Sequence, residues 1–565
     1  MTSTAPVPPG EAPDLDPADA FVLAVDLGTG GPKVALVSAT GAIAAHAKEP
    51  VALHLLEGGG AEQDPDEWWS AIVAAARRTL ADGGVPVDRV VGVGCTGQWS
   101  GTVAVGGDLR PLGPAVIWMD SRGSGPVRRQ VGGAVAAMGY DVRKISRWLR
   151  LTGGAPSLSG KDPVGHILWL RDERPDLYRQ THLFLEPVDY LNLRLTGSAR
   201  ASFDSITVHW VTDNRHIDRV DYDDGLLKVA GLERRTLPDL VPTATVVGGL
   251  TEAAAAELGL RPGTPVSTAT GDLHSAAVGS GAVVDFAAHL YIGTSSWISC
   301  HVPFKKTAIG SNIASLPSGL PGRYLVADEH ETGGACLTWL ADEVAFGPDG
   351  PPADALARLN DTAAAVAPGA GGVLFTPWLN GERAPVDDHT IRGGFHNLSL
   401  SSSRADMVRA VFEGVALNSR WLLHAVEKFC SRRFDSLAFV GGGAESALWA
   451  QIHADVMGRS VARMADPVLA NVRGAGLLCH LALGRVRLSE IPAMVTTEAV
   501  HEPDPATAPL YDELATEFVN LYRAEKDIHR RLNRSLTAPA GPTTAADEET
   551  ADPDAAGVAG DRGLR

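Results

Sequence analysis

The sequence predicts an α/β protein of two related domains that face each other across a cleft. At 565 residues the chain is too long for one hydrophobic core and fits two large domains. The same local pattern also occurs once in each half. FVLAVD (21–26), GTGG (28–31) and VALV (34–37) form the first copy; LYI (290–292), GTSS (293–296) and WIS (297–299) form the second. Each reads as strand, tight turn, strand. Two hairpins of one type set their glycine turns along the gap between the domains.

A third apolar strand, SLAFV (436–440), ends in GGGAES (441–446). The segment after it repeats Leu448, Ile452 and Val456 every four residues, which predicts a helix. Near the end, Leu514, Phe518, Leu521, Ile528 and Leu532 recur at helical spacing and predict a long amphipathic helix that closes the fold. Residues 1–20 and 536–565 are rich in Pro, Ala and Asp and have little to bury, so both are expected to be disordered tails.

The hydrophobic fraction of 45% is that of an ordinary globular protein, and the net charge of −18 leaves no broad basic face for nucleic acid or an anionic membrane. A small, locally captured ligand is expected instead. The five cysteines are odd in number and scattered, with no metal-knuckle spacing, and read as reduced thiols of a cytoplasmic protein. The first twenty residues do not resemble a signal peptide, and no apolar stretch reaches the ~20 residues of a membrane span. A homodimer is a reasonable prior for an enzyme of this size.

Four segments offer chemistry. In DLGTGGPK (26–33) the glycine turn exposes backbone N–H groups to phosphate oxygens, Thr29 and Gly30 lie in the turn, Lys33 adds charge, and Asp26 is placed to hold Mg²⁺ through water. The same residues also suit a plain hairpin with a solvated lysine. In GDLHSAAVGSG (271–281), Asp272 is either a general base for an attacking hydroxyl or the cap of the helix that the alanines form. His274, without a partner, reads as structural. In GCTGQWSG (94–101) and AVIWMDSR (115–122), Gln98, Asp120 and Arg122 sit at strand ends and can read sugar hydroxyls, with Trp99 and Trp118 as flat surfaces; packing is the competing role. In GGGAES, Gly442 and Gly443 leave room for a purine and Ser446 offers a hydroxyl.

Taken in order, these pieces resemble the FGGY carbohydrate kinases, most closely their xylulokinase-like branch. The similarity runs from about Phe21 to Leu483 and includes EQDPDEWW (62–69), WMDSR (118–122), DYLNLRLTG (189–197), YIGTSSW (291–297), NGERAP (380–385) and VGGGAESALWAQIHADVMG (440–458). The resemblance implies an actin/hexokinase/Hsp70-type ATPase fold of duplicated ribonuclease H-like domains, with an N-terminal domain over 21–281 and a C-terminal one over 282–535. It implies ATP and Mg²⁺ as cofactors and a sugar hydroxyl as acceptor. By the same resemblance Asp26 belongs to the first phosphate motif, Gly293 and Thr294 to the second, Gly442, Gly443 and Ser446 to the adenosine motif, and Asp272 is the base and a second residue near the metal.

The chain departs from xylulokinases on the sugar side. Trp99 and Ser100 follow Gln98 where Met and His are usual, Leu273 stands where Asn is common, Val188 replaces a Lys, and FDSITVHW (203–210) strays from the usual small-residue run. D-Xylulose is therefore a default. Another ketopentose, polyol, deoxy-sugar or small signalling metabolite stays open, as does an ATP-binding regulatory protein without turnover.

Overall fold

The computed structural model describes residues 15–347 and 350–533. Its first sheet begins as an antiparallel meander of β1 (Phe21–Gly28), β2 (Gly31–Ser38) and β3 (Ile43–Lys48). β4 (Val90–Gly97) joins the free side of β1 in parallel, followed by β6 (Pro265–Ser267) and the antiparallel edge strand β5 (Val246–Gly249). The two-residue β7 (Thr270–Gly271) pairs with the end of β4.

Both faces of this sheet are covered, which is why β1 and β2 read as continuous apolar runs rather than alternating ones. Leu23, Val25, Leu27, Val34 and Leu36 point to one side and pack with Trp68, Trp69 and Ile72 of helix α1 (Pro65–Gly83). Val22, Ala24, Ala35 and Val37 point to the other and pack with residues contributed from far down the chain. The first turn of α1 is set by Asp64, whose side chain accepts from the Asp66 N–H, and by Pro65 at the first helical position.

After helix α2 (Asp272–Gly279) the second sheet repeats the first. β8 (Ala288–Ile292) and β9 (Ser296–Val302) form the hairpin expected from the sequence. β9 pairs antiparallel with β12 (Tyr324–Ala327), and β10 (Thr307–Ala308) and β11 (Ile313–Pro317) extend that edge. Helix α3 (Arg404–Cys430) leads to β13 (Ser436–Val440), which lies parallel to β8 as β4 lies parallel to β1. Helix α4 (Ala447–Met457) is the predicted one, with Ile452 and Val456 buried; β14 (Ser460–Met464) follows it, parallel to β13.

Helix α5 (Ala470–Ala482) then crosses back to the first sheet, where Val472, Ala475, Leu478 and Cys479 supply the partners of Val22 and Ala24. It crosses α2 backbone to backbone: a Cβ on Gly279 would sit 1.7 Å from the Ala470 carbonyl oxygen, and one on Gly474 1.9 Å from that of Ser275. The chain returns through β15 (Thr497–His501) to the second sheet and ends in α6 (Ala508–Leu532), the closing helix expected from its spacing. Tyr511 and Phe518 seat α6, Leu521 and Tyr522 pack beside them, and His529 accepts from the Arg392 N–H, whereas Ile528 and Leu532 are exposed.

The expected tails at 1–20 and 536–565 lie outside the described residues except for 15–20. Those six correct the expectation: Ala20 is fully buried, Leu15 packs on the same apolar cluster, and Asp19 pairs with Arg89. Among the described residues no helix is long and apolar enough to cross a membrane.

Candidate active site

The β1–β2 turn is shaped by backbone. Gly31 has φ +123°, and a Cβ there would fall 2.0 Å from the Glu49 carbonyl oxygen, so the sharp return onto β2 admits only glycine. Thr29 is half-buried and Gly30 stands open, leaving the crest of the turn free. The register pairs Asp26 with Lys33 across the hairpin, and Lys33 Nζ lies 3.3 Å from Asp26 Oδ2. The β8–β9 turn matches it in the other domain. Gly293 N–H donates to the Ser295 carbonyl at 2.9 Å, Thr294 is exposed, and the N–H groups of Gly333 and Gly334 hold the turn from behind at 2.8 Å each.

Asp272 opens α2, and its Oδ1 accepts from the Leu273 N–H at 2.8 Å. The N-cap is Gly271 and no side chain caps the helix, so Asp272 is its first residue and not its cap. Burial, then the charges of Asp26 and Glu329, push its carboxyl up to about 7. The Tyr291 hydroxyl on β8 is pushed up by burial and by the same two aspartates, which brings the second hairpin's strand to the first domain's carboxylates. A cation beside Asp26 and Asp272 would relieve this repulsion, so the residues fit Mg²⁺. Among the described residues no three His, Cys, Asp or Glu side chains are gathered to hold a bare ion. Nucleotide oxygens and water would then supply most of the coordination.

The acceptor side is wired to the first turn. Gln98 Nε2 donates to Gln63 Oε1 at 2.8 Å, and Gln63 Nε2 donates to the Thr29 carbonyl at 2.8 Å. Gln98 Oε1 is buried without a partner. Trp118 follows the short strand Ala115–Val116, and its Nε1 donates to Thr29 Oγ1 at 3.0 Å. Trp99 is half-buried against Gly271, donates to the Ser205 carbonyl at 2.9 Å and meets His274 edge to face at 5.0 Å. His274 is structural as expected: burial lowers its pKa to about 3. Val188 lies fully inside the core, a place no lysine tolerates unpaired.

Three predicted contacts stand differently. Asp120 is fully buried, with Oδ1 accepting from Arg122 N–H and Oδ2 from Ala61 N–H and Arg122 Nε, each at 2.9 Å. Arg122 in turn pairs with Glu62 and stacks over Trp169 at 3.7 Å. Asp120 thus braces the wall from behind rather than offering a free polar atom to a ligand, while Arg122 spends its Nε and Nη2 on Asp120 and Glu62. Ser446 caps α4 by accepting from the Trp449 N–H at 3.0 Å and donates to Asn360, so its hydroxyl holds the glycine loop in place. Beside it, Gly442 is exposed with open space where a side chain would be, and Gly443 lies against Ile292.

Sequence reasoning missed a set of charges on the cleft. Lys161 of the first domain reaches Glu331 of the second at 3.1 Å, and Arg383 pairs with both Glu331 and Glu329 while its guanidinium sits 5.5 Å over the Trp118 ring.

Comparison with known proteins decides the family. Residues 21–279 match the N-terminal domain, and residues 289–483 the C-terminal domain, of the FGGY family of carbohydrate kinases. The chain belongs to this family. Among curated relatives, the xylulose kinase of Staphylococcus epidermidis is 27% identical over 90% of this chain and 97% of its own length. The gluconokinase of Bacillus subtilis is 25% identical over 89% and 96%. Among solved structures, the xylulose kinase from Rhodospirillum rubrum superposes with TM-score 0.75 at 26% identity, covering 90% of this chain and all of that one. The gluconate kinase from Lactobacillus acidophilus reaches 0.79 at 21%, over 91% and 99%. This FGGY chain is thus an ATP- and Mg²⁺-dependent carbohydrate kinase with the two-domain actin/hexokinase-like fold.

Proposed function

We propose that this kinase phosphorylates a neutral ketopentose such as D-xylulose. One observation carries the choice between the acceptors its relatives are named for. Among the described residues, each cation named on the cleft already faces a carboxylate: Lys33 with Asp26, Arg122 with Asp120 and Glu62, Lys161 with Glu331, and Arg383 with Glu329 and Glu331. An aldonate would bring its own negative charge toward Asp26, Asp272 and Glu329, and of these four cations only Lys33 faces a single carboxylate on the phosphate side, where the nucleotide already draws on it. A neutral sugar carries no such cost. Trp99, Trp118 and Leu273 offer apolar surface to carbon chains, and Gln98 Oε1 offers an unused acceptor to a hydroxyl. The apolar trio also favours a second reading, a deoxy-sugar or less polar polyol.

In this reading Asp272 takes the proton of the acceptor hydroxyl as its oxygen attacks the γ-phosphorus. The N–H groups of the two glycine turns, with Thr29 and Thr294, cradle the phosphates and Lys33 offsets their charge; Gly442 and Gly443 leave room for the base. Asp26 and Asp272 would hold Mg²⁺, which when bound would supply charge neutralisation for the transferring phosphoryl group. Two sheets drawn from residues 21–271 and 288–501 support a domain division at 281/282. Five buried free thiols support a reducing, cytoplasmic setting.

ADP release at fixed Mg-ATP across D-xylulose, other ketopentoses, pentitols, a deoxy-pentose and D-gluconate tests the acceptor. The highest kcat/KM is expected with a neutral ketopentose; D-gluconate as the best substrate would overturn the proposal.

A further inference from the structure

Glu331 is the point where three parts of the site meet. Its carboxylate is almost fully buried, and burial alone would push its pKa up; Arg383 and Lys161 outweigh that and hold it at about 2. Toward its own domain, Glu331 N–H donates to Glu382 Oε1 at 3.0 Å, and its side chain accepts from Asn380 Nδ2 at 3.0 Å and from Arg383. The residues after it, Gly333 and Gly334, donate to Thr294 and Gly293 of the second phosphate turn. Through Arg383 and the Trp118 ring it reaches Thr29 of the first.

Across the cleft it receives Lys161. That lysine is held by a rigid loop: Asp162 Oδ1 accepts from the Gly165 N–H at 3.1 Å and Oδ2 from Trp210 Nε1 at 3.0 Å. The Lys161 carbonyl accepts from Ser100 Oγ at 3.1 Å, on the acceptor wall beside Trp99. The domains also touch where Lys305 reaches the Leu149 and Arg150 carbonyls and Tyr324 the Asn214 carbonyl, but those contacts involve none of the phosphate or acceptor residues.

We infer that the Lys161–Glu331 pair is a positioning latch, which ties the acceptor wall of one domain to the phosphate turns of the other and so couples acceptor binding to nucleotide binding. It rests on the family's phosphoryl transfer and not on which neutral sugar is accepted. Lys161 does not touch reacting atoms; it acts through Glu331 and Ser100. Because Glu331 keeps Arg383 and Asn380 when the lysine is removed, the latch can be opened without leaving a buried charge alone.

The test uses the full chain, Lys161→Met and Lys161→Arg, with the best acceptor of the wild type. Lys161→Met is expected to lower kcat about tenfold and to abolish the acceptor-dependent gain in affinity for a non-hydrolysable ATP analogue, while affinity without acceptor and Tm stay near wild type. Lys161→Arg should restore most of both. Unchanged kcat and coupling in Lys161→Met would overturn the inference. So would a loss that Lys161→Arg fails to rescue, or one matched by a fall in Tm.

Discussion

Trp118 Nε1 donates to Thr29 Oγ1 at 3.0 Å, so a residue of the acceptor wall fixes the hydroxyl of the first phosphate turn. Trp118→Phe keeps an aromatic ring beneath Arg383 and removes only this donor. A net hydrogen bond of this kind contributes about 0.5–1.5 kcal/mol, so kcat/KM for ATP should fall roughly two- to twelvefold, since each ~1.4 kcal/mol is tenfold. Steady-state kinetics at saturating acceptor check this, with Tm expected to change little.

Gln63 is fully buried and satisfies four groups: it accepts from Trp68 Nε1 and Gln98 Nε2 and donates to the Thr29 and Ala52 carbonyls. Gln63→Leu leaves them without partners at about 1–3 kcal/mol per buried polar group. A drop in Tm of several degrees is expected in thermal unfolding, with a raised KM for acceptor as Gln98 loses its anchor.

Much of this was legible in the sequence, and for identifiable reasons. A hairpin announces itself locally, so FVLAVDLGTGG and YIGTSSW gave the two hairpins that carry Asp26, Thr29, Gly293 and Thr294. The helix after Gly271 put Asp272 at its first residue, although only the fold supplies the burial and then the nearby Asp26 that raise the Asp272 pKa. Asp120 and Ser446 show the limit. Each has the right chemistry for a ligand, but the Ala61 and Arg122 N–H groups occupy the one and a helix end occupies the other. The Lys161–Glu331 pair spans 170 positions, and nothing local in SGKDP or EHETGG points one to the other.

The raised carboxyl of Asp272 gives two opposite pH effects. As a base it must be ionised, so kcat/KM for acceptor should decline as pH falls, with a midpoint that bound Mg²⁺ draws below the value of about 7 the carboxyl has without it, approaching tenfold per pH unit in the acid limit. For stability the sign reverses. The native carboxyl titrates near 7 and the unfolded one near its ordinary 3.8, so the native state holds the proton more tightly between them and stability falls as pH rises through that window. Asp272→Asn should therefore raise Tm by a few degrees at pH 8 and much less at pH 4, read by calorimetry at both.

The crossing of α2 and α5 leaves no room for a methyl group at either glycine. Gly474→Ala sets a Cβ 1.9 Å from a carbonyl oxygen of the facing helix, so the helices must part. Overpacking of this severity costs about 1–3 kcal/mol or more. A fall in Tm and a loss of activity with every acceptor are expected.

The central claim, phosphoryl transfer driven from Asp272, is tested most directly by comparing wild type and Asp272→Asn for ATP-analogue affinity and for ADP release with the best acceptor of the panel. A base of this kind supplies about 10²–10⁴ in rate, so the variant should bind the nucleotide almost as well as wild type and release almost no ADP. Retention of more than roughly a tenth of the wild-type rate would contradict the assignment.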